Sequence, residues 1–199
     1  MRAGGYRDLP ESWKEVREIA ALSQGKAYLG PEASEQQFNQ QAPLSRILHL
    51  AMHTWLDPRN PMFSKLLFSS SPLEKGEGND LYAVEIYDLG LNAELVVLSA
   101  CETGLGQFRQ GEGVMSLARA FAFGGVTATV MSLWQAEDGA TRTLMVDFYK
   151  QLKTGIRKDD ALQQAKLTYL KNCDALRSSP YFWAGFIASG SMVPLFGRQ

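Results

Sequence analysis

Two apolar runs with a helical stretch between them constrain the fold of this 199-residue chain more than any other feature. The runs are residues 95–100 (LVVLSA) and 126–134 (VTATVMSLW). Neither has helical spacing, which is typical of strands covered on both faces. The stretch between them has one apolar helical face, formed by Val114, Leu117, Ala118 and Phe121. This order predicts two parallel strands joined by a right-handed crossover.

The rest of the chain continues the same alternation of strands and helices. Residues 46–53 and 182–189 are predicted as further strands, and residues 27–29 as a short one. Helices are expected over residues 10–24, 139–152 and 159–172, and a polar loop over residues 57–79. The sequence therefore predicts a single α/β domain over residues 1–199, a three-layer α/β/α sandwich with a mostly parallel sheet.

Composition and charge exclude several classes of protein. With 45% hydrophobic and 21% charged residues, the chain has the composition of a soluble globular domain. The 20 basic and 21 acidic residues leave a formal charge of −1, so no electrostatic footprint for nucleic acid or an anionic membrane is visible. No apolar run approaches the roughly 18 to 20 residues of a membrane span. Two cysteines without a signal peptide predict a cytoplasmic protein.

Three apolar runs end at residues that can do chemistry, namely His53, Cys101 and Trp134. Ligands of open parallel sheets bind beyond the carboxyl ends of the strands. Neighbouring strands lie about 4.8 Å apart, so a histidine and a cysteine that end adjacent strands can meet. An imidazole favours the thiolate of a cysteine. The glycine-containing loop after Cys101 allows its backbone N–H to form half of an oxyanion hole. The alternative is that Cys101 is a small core residue.

Five segments together resemble one known family. They are LHLAMH, LVVLSACETGLG, QGEGVMSLARAFAFGGV, SLWQAED and PYFWAGFIASG. They resemble the CHAT family, whose domains belong to the caspase-like clan of cysteine peptidases and often lie beside tetratricopeptide repeats. The resemblance extends from Tyr6 to Gly190. It implies a cysteine endopeptidase that acts on a peptide or protein substrate, and a tetratricopeptide-repeat or sensor module as a further partner.

The same resemblance implies roles for individual residues. Cys101 would attack the peptide carbonyl, and His53 would protonate the leaving amine. Separases, which are distant relatives, have an LW-x-x-x-D segment whose acid binds a substrate arginine, and Asp138 stands at the matching position. We therefore expect cleavage after Arg or Lys. Glu102 and Trp134 are further substrate-binding candidates. The alternatives are surface carboxylates for Asp138 and Glu102, and a buried aromatic for Trp134.

Two departures from the family pattern favour a different function. CHAT domains and caspases usually have glycine after the catalytic histidine, and its N–H completes the oxyanion hole, whereas this chain has Thr54. A β-branched residue is strained at positive φ, so Thr54 would distort the site if the glycine conformation is required. We also expect that the family's amino-terminal segment is missing. The alternative function is therefore an inactive caspase-like interaction or scaffold module. A third is an acyltransferase or another Cys-His hydrolase.

The remaining histidine and cysteine have structural interpretations. His49 is expected to be a packed, hydrogen-bonded histidine, and Cys173, at the end of a predicted helix, a structural residue. Two His and two Cys without close ligand pairs predict no zinc site. Gly111 and Gly113 are not followed by the lysine of a phosphate-binding loop. No cofactor is therefore expected.

Overall fold

A computed structural model describes residues 10–57, 59–69, 80–99, 112–134 and 136–197. Six α-helices lie in these ranges: α1 (Pro10–Ser23), α2 (Glu35–Gln41), α3 (Ala83–Ile86), α4 (Glu112–Phe123), α5 (Asp138–Leu152) and α6 (Lys158–Asn172). Seven strands lie there too: β1 (Ile47–Leu50), β2 (Thr54–Trp55), β3 (Lys65–Leu67), β4 (Asp80–Tyr82), β5 (Leu95–Leu98), β6 (Ala128–Ser132) and β7 (Phe186–Gly190).

The larger sheet has four strands in the order β1-β5-β6-β7. The first three strands are parallel, and β7 pairs antiparallel with β6. Leu50 of β1 pairs with Leu98 of β5, which pairs with Met131 of β6. These three residues form one row across the sheet near the carboxyl ends of the parallel strands. The predicted strand–helix–strand unit, with its parallel strands, is therefore confirmed.

The two central strands are buried at every position, as their continuous apolar sequences predict. Leu95, Val96 and Val97 are fully buried, and Phe121 on the core face of α4 is fully buried as well. A strand with neighbours on both sides and cover on both faces has no solvent-facing position, which explains why β5 and β6 lack the alternation of polar and apolar residues.

The smaller sheet has three antiparallel strands in the order β2-β3-β4. Thr54, Leu66 and Leu81 pair across it and are 1%, 0% and 1% exposed, so they form its inner face. Strand β3 lies within residues 57–79, which were predicted to be a loop, and that prediction is wrong for this part. The strands have only two or three residues each, too few for a period of two to be recognised.

Several predicted boundaries are also wrong. Residues 27–29 form no strand, since they lead directly into a 3₁₀ turn at Gly30–Glu32. Strand β1 ends at Leu50, so His53 lies in the connection to β2 rather than at the end of β1. Strand β7 starts at Phe186 because Pro180–Phe182 forms a 3₁₀ turn before it. The fold class is confirmed: the chain is mixed α/β with a mostly parallel sheet, compatible with a caspase-like α/β/α fold.

The chain divides into two compact units. One comprises Met1–Ala27, Ala136–Gly185 and Val193–Gln199, and contains α1, α5 and α6. In it, α5 packs against both other helices, and Arg142 of α5 forms ion pairs with Glu11 and Glu18 of α1. The second unit comprises Tyr28–Gln135 and Phe186–Met192, and contains both sheets. None of the helices in the described ranges is long and apolar enough to cross a membrane.

Candidate functional site

The carboxyl ends of β1 and β5 lie side by side. Leu50 pairs with Leu98, and the Ser99 N–H donates a hydrogen bond of 3.1 Å to the Leu50 carbonyl, so the pairing extends one residue beyond β5. His53 is the third residue after Leu50, and Cys101 is the third after Leu98. The two candidate catalytic residues therefore follow adjacent strands at equal distance along the chain. Cys101 and Glu102 themselves lie outside the described residues.

His53 lies in the connection from β1 of the larger sheet to β2 of the smaller one. Its carbonyl oxygen accepts a hydrogen bond of 3.0 Å from the Leu67 N–H of β3. The side chain is half-buried. The backbone bond anchors His53 to the smaller sheet, so the candidate base has a fixed position relative to β2 and β3.

The backbone N–H of Thr54 points away from the β2–β3 ladder, to the side of β2 on which none of the described strands pairs. The Leu67–His53 bond makes His53/Leu67 and Trp55/Lys65 the hydrogen-bonded pairs of the antiparallel ladder. Thr54 and Leu66 form the non-bonded pair between them, so the N–H and C=O of Thr54 point away from β3. Among the described strands, β2 is an edge of its sheet. The Thr54 N–H is therefore not used by the ladder.

The backbone strain considered for Thr54 is absent. Thr54 lies in a strand, where β-branched residues are favoured. Among the described residues, Gln24 is the one non-glycine residue with positive φ, at 55°. The Thr54 side chain is 1% exposed, and its hydroxyl oxygen has no hydrogen-bond partner in the part of the chain that is described. Threonine is thus accommodated without distortion of the backbone.

Trp134 follows β6, the third parallel strand of the larger sheet. It is the third residue after Met131, which pairs with Leu98. Its side chain is half-buried, and its carbonyl oxygen accepts a hydrogen bond of 2.5 Å from the Ser132 hydroxyl. This bond turns the chain at the end of β6. Trp134 therefore lies two residues beyond the carboxyl end of β6, whereas its apolar run predicts that the strand reaches it.

Asp138 is the first residue of α5, in the unit that holds α1. Its Oδ2 accepts a hydrogen bond of 3.0 Å from the Glu11 N–H at the start of α1. Partial burial raises the pKa of Asp138; that hydrogen bond opposes the shift, and the negative charges of Glu15, Glu11 and Glu137 add to it. Glu137 caps α5, accepting from the Ala140 N–H at 2.8 Å. Both acids thus have defined roles at helix starts.

His49 and Cys173 have the structural roles expected of them. The His49 Nε2 lies 3.4 Å from the Ser99 hydroxyl, across β1 and β5, so the prediction of a packed, hydrogen-bonded histidine is confirmed. Cys173 is a free cysteine that ends α6, and its Sγ lies 3.6 Å from the Leu170 carbonyl oxygen.

One group of side chains near His53 was missed from the sequence. Trp55, Lys65 and Tyr82 pair across the smaller sheet in one row. The Lys65 ammonium lies 5.8 Å from the centre of the Trp55 ring and 5.3 Å from that of Tyr82, and it forms a 2.5 Å ion pair with Asp80. We refer to Trp55, Lys65 and Tyr82 as the aromatic–ion-pair row; Asp80, the partner of Lys65 in the ion pair, lies in the neighbouring row opposite Leu67. No sequence signal marks it, because its members come from three very short strands.

Comparison with known proteins agrees with this architecture. The model of the CHAT domain family matches residues 1–191, and the chain belongs to that family, which is caspase-like and related to peptidases. Similar proteins include tetratricopeptide repeat protein 28 of Mus musculus, 32% identical over 115 residues, and its counterpart in Homo sapiens, 33% identical over 115 residues. These matches cover 58% of this chain and 5% and 4% of the two relatives. The chain thus spans only a small part of their length.

Proposed function

We propose that this chain is a caspase-like cysteine endopeptidase in which Cys101 is the nucleophile and His53 the general base. The observation that carries the proposal is the register of β1 and β5, because His53 and Cys101 each follow the paired residues Leu50 and Leu98 by three positions. Adjacent parallel strands bring such residues to one edge of a sheet. A nucleophile and a base at one edge are the arrangement that covalent acyl transfer requires.

The orientation of Thr54 supports the same chemistry. An oxyanion hole needs backbone N–H groups that no other acceptor occupies. The Thr54 N–H points away from the β2–β3 ladder, directly after the candidate base. It would supply one donor, and the Cys101 N–H would supply the other. Because Thr54 is extended and unstrained, its replacement of the family's glycine does not by itself argue for an inactive module.

Cleavage after Arg or Lys is the finer part of the proposal. It rests on Asp138, at the position of the acid in the LW-x-x-x-D segment. Glu11, Glu15 and Glu137 contribute negative charge around Asp138, which would favour a cationic substrate side chain. The hydrogen bond from the Glu11 N–H occupies one carboxylate oxygen and leaves the other for such a contact. A tetratricopeptide-repeat module, as in the relatives' names, is the proposed partner, and the cytoplasm the proposed location.

The test combines peptide cleavage with labelling of the cysteines. Fluorogenic peptides that differ only in Arg, Lys, Asp or Ala before the scissile bond are incubated with the full chain. We expect cleavage after Arg and Lys, a loss of about a thousand-fold or more in Cys101→Ala, and a reduced preference for Arg in Asp138→Asn. An electrophilic peptide should modify Cys101 much faster than Cys173, and His53→Ala should slow that reaction.

The other outcomes identify the alternatives. Rapid labelling of Cys101 without cleavage of any peptide would indicate an acyltransferase or another Cys-His hydrolase. Equal, slow labelling of Cys101 and Cys173 would contradict the dyad and favour an interaction module. Preferred cleavage after Asp or Ala would leave the dyad in place and disprove the role of Asp138.

A further inference from the structure

We propose that the outer face of the three-stranded sheet binds the substrate residues that follow the scissile bond, and that it selects large uncharged side chains there. The inference rests on the proposed peptidase function and extends it to the leaving-group side of the substrate.

The two faces of the smaller sheet are distinguished by burial. Thr54, Leu66 and Leu81 are 1%, 0% and 1% exposed on the inner face. Successive side chains of a strand point to opposite faces, so Trp55, Lys65 and Tyr82 lie on the outer face. The distances of 5.8 Å and 5.3 Å from the Lys65 ammonium to the two ring centres agree with this assignment.

His53 belongs to the outer face as well. Its bond with the Leu67 N–H continues the β2–β3 ladder by one residue, which places His53 opposite Leu67. Leu67 in turn pairs with Asp80. The alternation therefore assigns His53, Leu67 and Asp80 to a second row on the outer face, beside the row of Trp55, Lys65 and Tyr82. All six side chains are half-buried.

The chemistry of the dyad determines which part of the substrate meets this face. The bond from the Cys101 sulfur to the carbonyl carbon forms, the C–N bond breaks, and the proton taken from the thiol passes from His53 to the leaving nitrogen. The chain attached to that nitrogen must therefore lie against His53. Trp55 is two residues further along the strand, about 6.6 Å at roughly 3.3 Å per residue. One of the first two residues after the scissile bond should then contact Trp55.

The charges on this face predict the kind of side chain that it accepts. Lys65 and Asp80 neutralise one another at 2.5 Å, with side chains 23% and 34% exposed. The ammonium also interacts with both aromatic rings. A charged substrate side chain would have to displace one member of this pair. An aromatic or long aliphatic side chain would instead remove apolar area of Trp55 and Tyr82 from water.

The test compares substrates that share the residues before the scissile bond. One releases a small fluorescent amine, and the others carry Phe, Gly or Asp at the first two positions after the bond. We expect the wild-type chain to cleave the Phe peptide with the highest kcat/KM. In Trp55→Ala and Tyr82→Ala, the ratio of kcat/KM for the Phe peptide to that for the small amine should fall about ten-fold. Trp13→Ala removes a tryptophan of α1 that is 48% exposed and should leave the ratio unchanged.

The outcomes separate this inference from the function on which it rests. Cleavage of the small-amine substrate with no preference among Phe, Gly and Asp overturns the inference alone, as does an unchanged ratio in both variants. A preference for Asp overturns the choice of uncharged side chains. Absence of cleavage of every substrate, together with unreactive Cys101, overturns the proposed function and this inference with it. Tyr82→Ala gives the answer by itself if Trp55→Ala does not fold.

Discussion

Asp138 illustrates how one carboxylate can serve a helix start and still be a candidate for substrate binding. Its Oδ2 accepts a hydrogen bond from the Glu11 N–H, which has no intrahelical acceptor at the start of α1. Its surroundings are acidic, and partial burial adds to the cost of its charge. A carboxylate in such surroundings lowers the stability of the folded state at neutral pH, which is a cost that binding of a cationic side chain would offset.

The first prediction concerns the pH dependence of this cost. The pKa of Asp138 is raised in the folded state, so the folded state binds the proton more tightly than the unfolded state does. The contribution of Asp138 to stability must therefore fall as pH rises from about 3.9, the unfolded value, through the raised folded value. Asp138→Asn keeps an acceptor for the Glu11 N–H and removes the charge. We expect its free energy of unfolding to exceed that of wild type at pH 7 by less than about 1 kcal/mol, because solvent screens the site.

Urea denaturation at a series of pH values measures this difference. The advantage of Asp138→Asn should disappear at low pH, where Asp138 is protonated in both states. Asp160→Asn, on the exposed side of α6, is the matched control, since it also removes one carboxylate. A variant that is less stable than wild type at pH 7 would mean that the charged hydrogen bond outweighs desolvation and repulsion.

Among the elements, the turn from α4 to β6 contains two adjacent glycines, Gly124 and Gly125, and Gly125 is the more constrained of the two. Gly125 has φ of 111°, and a Cβ placed on it would lie 2.1 Å from the Leu91 carbonyl oxygen. The turn can lie against the segment at Leu91 only if this position has no side chain. Gly125→Ala should therefore lower the free energy of unfolding by more than about 3 kcal/mol, since strain and a backbone clash combine.

Gly90 provides the matched control for this second prediction. Its φ is also positive, at 58°, but no atom lies within 4 Å of its Cβ position. Gly90→Ala should thus cost only the left-handed conformation, about 1 to 2 kcal/mol. Chemical denaturation of both variants gives the comparison. Equal destabilisation would show that the clash at Gly125 is relieved by a small movement of the chain near Leu91.

Some elements of the fold can be predicted from the sequence, and others cannot. β5 and β6 were predicted because continuous apolar runs leave few alternatives to buried strands. The smaller sheet was missed because β2, β3 and β4 have two or three residues each, and their pairing is fixed by contacts between distant parts of the chain. The same holds for the candidate site. His53 and Cys101 can be identified from the sequence because each stands at the end of an apolar run. The outward N–H of Thr54 and the aromatic–ion-pair row can be identified only from the β2–β3–β4 register.

At the scale of the whole molecule, this difference in strand length should also be a difference in stability. β5 is paired on both sides and buried at all four positions, so its amides can exchange with solvent only when the sheet is disrupted. Thr54, by contrast, lies on an edge strand with its N–H directed away from the ladder. The orientation that makes this N–H a candidate oxyanion donor also means that no strand pairing slows its exchange with solvent.

Hydrogen exchange followed by NMR tests this third prediction directly. The amides of Val96 and Val97 should exchange at least about a thousand-fold more slowly than that of Thr54, because their opening approaches global unfolding. The Leu67 amide, which donates to the His53 carbonyl, is the control on the same small sheet and should be better protected than Thr54. If Thr54 and Leu67 were equally protected, the Thr54 N–H would already have an acceptor. It could then serve as an oxyanion donor only by giving up that acceptor when substrate binds.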